Sequence, residues 1–178
     1  DAVLLFIGLT EEFESEGFDR RHIRIPALHT KLVDAVSAVN ENVIVVLAGG
    51  AVIEMPWADK VKGILNSILG GEATGSATAD ILFGDVNPSG KMTDTITKSY
   101  YYYPCKDEFW ESFQFIDYSD DIYVGYRYFE TIPGAKENVR YPFGFGLSYT
   151  KFELSSKVCC ESDGNVVAIV NVKNTKAG

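Results

Sequence analysis

Cysteine is scarce in this sequence. Three residues in 178, two of them adjacent at Cys159–Cys160, make neither a disulfide framework nor a zinc-binding pattern. The thiols are expected to be buried or incidental. Histidine is scarcer still: His22 and His29 have no second ligand at helical spacing, so no metal is expected. No apolar run approaches the roughly eighteen residues that cross a bilayer, and no membrane contact is expected. No basic leader precedes the first apolar run either. Positive charge is in deficit, with 16 Lys and Arg against 25 Asp and Glu and a net charge of −9. A surface of that sign repels phosphate backbones, which argues against a nucleic-acid partner. The glycine-rich stretch "GGEATGSATADILFG" lacks both the G-x-G-x-x-G spacing and a P-loop lysine. A nucleotide-binding, flavodoxin-like protein is therefore disfavoured, and no organic cofactor is expected.

What is present is an alternation. "AVLLFI" at 2–7 and "VIVVLA" at 43–48 are short continuous apolar runs, the pattern of strands buried on both faces. Between them Pro26 can open a helix, with Leu28, Leu32, Ala35, Val36 and Val39 as its apolar face. "VKGILNSIL" at 61–69 reads as a third strand, and Glu72–Phe83 as a small-residue helix packing through Ala73, Ala77, Ile81 and Leu82. "GDVNPSGK" at 84–91 is a turn. Strand and helix in this order predict a layered α/β sandwich, with a mainly parallel sheet and helices on both faces.

From Ser99 to Tyr149 the chain becomes aromatic and irregular, too long for a passive connection. Within it "YSDDIYVGYRYFE" has the pattern of an edge strand with an aromatic face. The last 25 residues carry two alternating runs around "SDGN", as in a hairpin opening an all-β unit. The expected boundaries are 1–153 for the α/β domain and 154–178 for the incomplete β domain.

One stretch invites chemistry. Glu11–Arg20, "EEFESEGFDR", puts four glutamates, an aspartate and an arginine at the carboxyl end of the first strand. Ligands of open parallel sheets sit beyond such ends, and Glu54, after the second strand, can approach the same rim. Charge alone favours a solvated acidic face. Gly17 beside Glu16 permits an unusual backbone path, and Phe13 and Phe18 offer aromatic surface. Carboxylates against aromatics are partly desolvated, as a general acid working near neutral pH requires. Aromatic platforms beside polar groups also suit a sugar. Trp57 and Trp110 are further platform candidates, although lone tryptophans more commonly serve packing.

The motifs "GLTEEFESEGFDR", "VIEMPWADK", "ILFGDVNPSGK", "IYVGYRYFE" and "YPFGFGLSYTKFEL" occur in this order. Together they resemble the carboxyl-terminal α/β sandwich domain of family three glycoside hydrolases, the β-glucosidase and β-xylosidase group. The likeness runs from residue 1 to about 154, and "NVVAIVNVKNTKAG" is similar to the start of the fibronectin-type-III-like domain that follows it. The chain departs from the family at "MTDTIT", where a proline-containing run is usual, and at Glu72-Ala73-Thr74, where a glutamate-glycine pair is common.

The resemblance implies a retaining β-glycosidase whose nucleophile lies on a (β/α) barrel absent from these residues, and which acts on terminal β-linked sugars. It implies Glu16 as the acid/base, in "SEGFDR", with Glu14 as runner-up, and Phe18, Asp19 and Arg20 as substrate-binding residues. It makes Tyr126 and Arg127 braces of the interface with the barrel, and the isolated chain catalytically inert. A module that binds carbohydrate or a partner domain without catalysis is the competing reading. Sugar, linkage and cellular location are not set by the sequence.

Overall fold

The computed structural model describes residues 1–108, 112 and 114–175. Trp110 lies outside them. Three parallel strands, β1 (Val3–Gly8), β2 (Val43–Ala48) and β3 (Gly63–Ile68), pair in the order β1-β2-β3. Leu5 stands opposite Val45 and Ile7 opposite Leu47, and Val45 stands opposite Ile64. One face of the sheet is therefore continuous Leu, Ile and Val, and it forms the core with Ile25, Val33, Ile53, Met55, Trp57 and Ile96. Leu4 and Phe6 alternate onto the other face and are exposed, Phe6 by 67%. The layered α/β architecture is the one the alternation of runs predicts.

Helix α1 spans Ala27–Ser37 behind Pro26, whose missing N–H costs nothing at a helix start. Its buried face differs from the sequence expectation. Val33 is fully buried and Val36 half-buried, while Leu28, Leu32 and Val39 are exposed, Leu28 by 76%. Two apolar stripes lie side by side on this helix, and periodicity cannot choose between them. His29 shares a face with Val33 and Val36, and its Nδ1 lies 3.1 Å from the Gly8 carbonyl at the end of β1. The Val33 stripe faces inward, packed on the core, and the His29 contact lies on the same side.

Helix α2 spans Thr74–Phe83, starting two residues later than expected, after Gly71 at φ +70°. Thr78 is its buried residue, Ile81 and Leu82 are half-buried, and Ala73 and Ala77 are exposed. The helix ends on Gly84 in the left-handed conformation.

The aromatic region is held by a small antiparallel pair, β4 (Ile96–Thr97) with β5 (Val139–Tyr141). "YRYFET" is not the edge strand its alternation suggested; Tyr126–Thr131 is a short helix, α3. Gly125, at φ +59°, reverses the chain there, and burial of Phe129 against Tyr103 fixes the helix. Strands β6 (Phe152–Cys160) and β7 (Val166–Asn174) form a nine-pair antiparallel hairpin around the expected turn. Cys159 and Cys160 lie exposed on it as free thiols, not buried, and Cys105 is a half-buried free thiol. Among the described residues no helix is long and apolar enough to cross a membrane.

Candidate active site

The site begins where β1 stops. Gly8 lies so close to β2 that a Cβ there would stand 2.0 Å from the Ala48 carbonyl oxygen, and the Leu9 N–H extends the ladder to that same oxygen at 2.9 Å. The chain then leaves the sheet at the carboxyl ends of the strands. A tight turn follows, with the Phe13 and Glu14 N–H groups both donating to the Thr10 carbonyl at 2.8 and 3.0 Å.

Next comes a narrow reversal. Ser15 and Phe18 form an antiparallel bridge, and the Gly17 N–H donates to Ser15 Oγ at 3.2 Å. Glu16 and Gly17 are thus the two tip residues of a tight turn. The Glu16 side chain is exposed and has no hydrogen-bond or ion-pair partner among the described residues.

Glu14 is placed quite differently. Both its carboxylate oxygens accept from the Gly50 N–H, at 2.9 and 3.1 Å, in the loop that follows β2. Arg20 reaches the same loop: Nη1 donates to the Val52 carbonyl at 2.9 Å, and Nη2 to the Arg24 carbonyl at 3.2 Å. Burial lowers the Arg20 pKa, and the Glu14 carboxylate opposes that shift by favouring the charged guanidinium. His22 is also pushed below the ordinary imidazole value, first by burial and then by the Arg24 charge.

Phe18, Asp19 and Arg20, the residues expected to bind substrate, line one recess of about 240 Å³ with Glu12, Phe13, Arg21 and His22. Neither Glu14 nor Glu16 lines it. Glu54 does reach this neighbourhood, its N–H donating to the Ile23 carbonyl at 2.7 Å, but its carboxylate accepts from the Tyr100 N–H at 3.4 Å. Trp57 is fully buried in the core, so it is no sugar platform.

Two features escaped the sequence. Gly50 and Val52 anchor the acidic loop through backbone groups, which leave no side-chain signature, across separations of 36 and 32 residues. A second recess, of about 360 Å³, joins Val52 to Asp94, Thr95, Tyr126, Arg127 and Phe143, with Tyr126 stacked on Phe143 at 4.6 Å. Only Tyr126 and Arg127 of that set stood out in the sequence.

The fold is a layered α/β domain with an acidic loop and an aromatic-lined recess beyond the carboxyl ends of its strands, and likeness to known proteins places it among the domains of glycoside hydrolases. Residues 1–149 match the model of the glycosyl hydrolase family 3 C-terminal domain, and the chain belongs to that family. Over 97% of its length it is 45% identical to thermostable β-glucosidase B of Acetivibrio thermocellus. It is 42% identical, over 98% of its length, to an exo-α-(1→6)-L-arabinopyranosidase of Bifidobacterium longum. The crystal structure of a β-glucosidase from Bifidobacterium adolescentis superposes with a TM-score of 0.90 at 43% identity, covering 98% of this chain and 26% of that one. The chain spans 22% and 23% of the two curated relatives.

Proposed function

We propose that this chain supplies the general acid/base carboxyl of a retaining β-glycosidase, and that Glu16 carries it. The supporting observation is the contrast between neighbours. Glu14 has both oxygens committed to a backbone N–H, whereas Glu16 stands free at the tip of a turn at the sheet's carboxyl end. A group that must give and take a proton needs an uncommitted carboxyl.

The nucleophile belongs to a (β/α) barrel domain that closes over this rim. In the first step Glu16 donates its proton to the glycosidic oxygen while the barrel carboxylate attacks the anomeric carbon and the carbon–oxygen bond breaks. In the second, the Glu16 carboxylate takes a proton from water as the water oxygen displaces the barrel carboxylate. Retention requires the two carboxyls about 5–5.5 Å apart. Because Glu16 is exposed in this chain, the barrel must also supply the water exclusion that strengthens acid catalysis. Phe18, Asp19 and Arg20 border the sugar site, and terminal β-linked glycosides are the substrate class. Residues 154–178 begin a fibronectin-type-III-like domain, a reading supported by the β6–β7 ladder, which among the described residues is a two-stranded sheet of its own, running from Phe152 to Asn174.

In the enzyme that joins this domain to its barrel, Glu16→Ala is expected to slow hydrolysis of poor leaving groups by about 10²–10⁴-fold. Dinitrophenyl glycosides, which need little protonation, should be affected far less, and azide should restore part of their turnover. Equal losses for both substrates, with no azide effect, would assign the role elsewhere. An unchanged rate would favour a non-catalytic binding module. The isolated chain should leave an aryl β-glucoside intact.

A further inference from the structure

We infer that Glu14 is a positioning residue: with Arg20 it ties both legs of the Ser15–Phe18 turn to residues 50–52, and so fixes where Glu16 stands. The inference rests on the reading of Glu16 as the acid/base.

The tip itself is weakly held. One bridge between Ser15 and Phe18 and one bond from Gly17 to Ser15 Oγ close it, and Ser15, Glu16, Gly17 and Phe18 are all exposed. Such a two-residue reversal has freedom to swing as a unit about its legs. The legs, however, are pinned just outside the bridge. Glu14 precedes Ser15 and grips the Gly50 N–H; Arg20 lies two residues beyond Phe18 and grips the Val52 carbonyl. Both anchors fall within three residues of a loop rooted in the core, since Gly49 before it and Ile53 after it are buried. The separation of the two legs is therefore set by residues 50–52, a short stretch flanked on both sides by buried residues.

The bonds are charge-assisted at both pins, with a carboxylate accepting at one and a guanidinium donating at the other. The Glu14 charge also favours the charged form of Arg20, so the pins support each other. Gly50 is required for this. A Cβ there would stand 2.5 Å from Glu14 Oε1 and 2.8 Å from Leu69 Cδ1, so alanine would push the carboxylate off its donor. Displacing an acid by about 1 Å costs roughly 100-fold in rate. The distinction matters because Glu14 is also the neighbouring candidate for the acid itself.

Two measurements test it. On this chain, amide hydrogen exchange followed by NMR should show the residue-50 amide, which donates to the Glu14 carboxylate, and the Gly17 amide, which donates to Ser15 Oγ, losing protection in Glu14→Ala and in Gly50→Ala. Glu14→Gln, which keeps one acceptor oxygen, should retain part of it. The β2 amides serve as the internal control, since their loss would signal global unfolding, and the Gln variant then decides. In the enzyme containing the barrel, Glu14→Ala should lower kcat for a poor leaving group by about 10- to 100-fold with KM changed less than about twofold. It should cause no further loss in a Glu16→Ala background, because a misplaced acid and an absent one are equivalent.

Unchanged exchange in Glu14→Ala would overturn the proposal, as would a loss that persists undiminished in the Glu16→Ala background. A harmless Glu16→Ala with an azide-rescued Glu14→Ala would make Glu14 the acid. If exchange behaves as expected but Glu16→Ala shows no leaving-group dependence, the reading of Glu16 falls and the positioning role falls with it.

Discussion

Trp57 shows how far a residue's meaning depends on where it is buried. In the sequence it is one of two tryptophans and a candidate sugar platform; in the fold it is completely buried in the core cluster that includes Val33, Val43, Val45, Ile53 and Met55. Trp57→Ala should cost about 3–5 kcal/mol in chemical denaturation, the usual penalty for emptying a large aromatic site. Its indole N–H is buried with no partner among the described residues, so Trp57→Phe, which removes that donor, should cost less than the lost volume alone suggests.

His22 carries a prediction in pH. Burial, then the charges of Arg24 and Arg20, lower its pKa, while a backbone hydrogen bond and, less strongly, the Glu54 charge act in the opposite direction. The unfolded chain therefore binds more protons than the folded one between the folded value and about 6.5. Stability rises with pH through that window and is lost as pH falls through about 6.5. His22→Gln should flatten this part of the urea-midpoint profile between pH 7.5 and 5, by a small amount because the ring is only partly buried. The cysteines also differ. Burial, followed by the nearby Asp120 charge, raises the Cys105 pKa. Pulse alkylation read by mass spectrometry should label exposed Cys159 and Cys160 before Cys105.

At the scale of elements, the strands were the most legible part. "AVLLFI" covers β1 up to Ile7 and "VIVVLA" is β2 itself, because a continuous apolar run of six residues is too short for most helices and has the length of a strand. The helices were legible in existence and less so in orientation, as Val33 in place of Leu32 shows. Helix α3 was not legible, because "IYVGYRYFE" alternates like a strand and the reversal depends on Gly125 and on a pocket for Phe129 built by Tyr103. The β1–β2 contact supplies a sharp test. Gly8→Ala would drive a Cβ into the Ala48 carbonyl, which is backbone and cannot swing aside. It should destabilise the chain by about 1–3 kcal/mol or more, read as a lower thermal midpoint. It should also displace the acidic loop, which leaves the sheet one residue later.

For the whole molecule, the hairpin stands apart. Every residue of β6 is exposed, and β7 is exposed except at half-buried Val167. Among the described residues its ties to the segment before it include the Thr150 Oγ1 to Asn174 Oδ1 bond and the Thr175 bonds to the Lys151 carbonyl. Truncation after Tyr149 should therefore leave the thermal midpoint of the remaining domain within about 2–4 °C, the shift that one kcal/mol produces at this size.

The sequence by itself determined the alternation of strand and helix, the exclusion of a disulfide framework, and the place of the acidic loop at the end of β1. These are local properties, written in apolar periodicity, residue counts and turn-forming residues within a few positions of one another. The tertiary structure decided which stripe of α1 faces the core and that Trp57 is packing. It also gave Glu14 and Glu16 different surroundings, although they are two residues apart and chemically identical. The pin on Glu14 is the backbone N–H of Gly50, 36 residues away. A backbone donor carries no side-chain signal, and only the β1–β2 register brings it within reach.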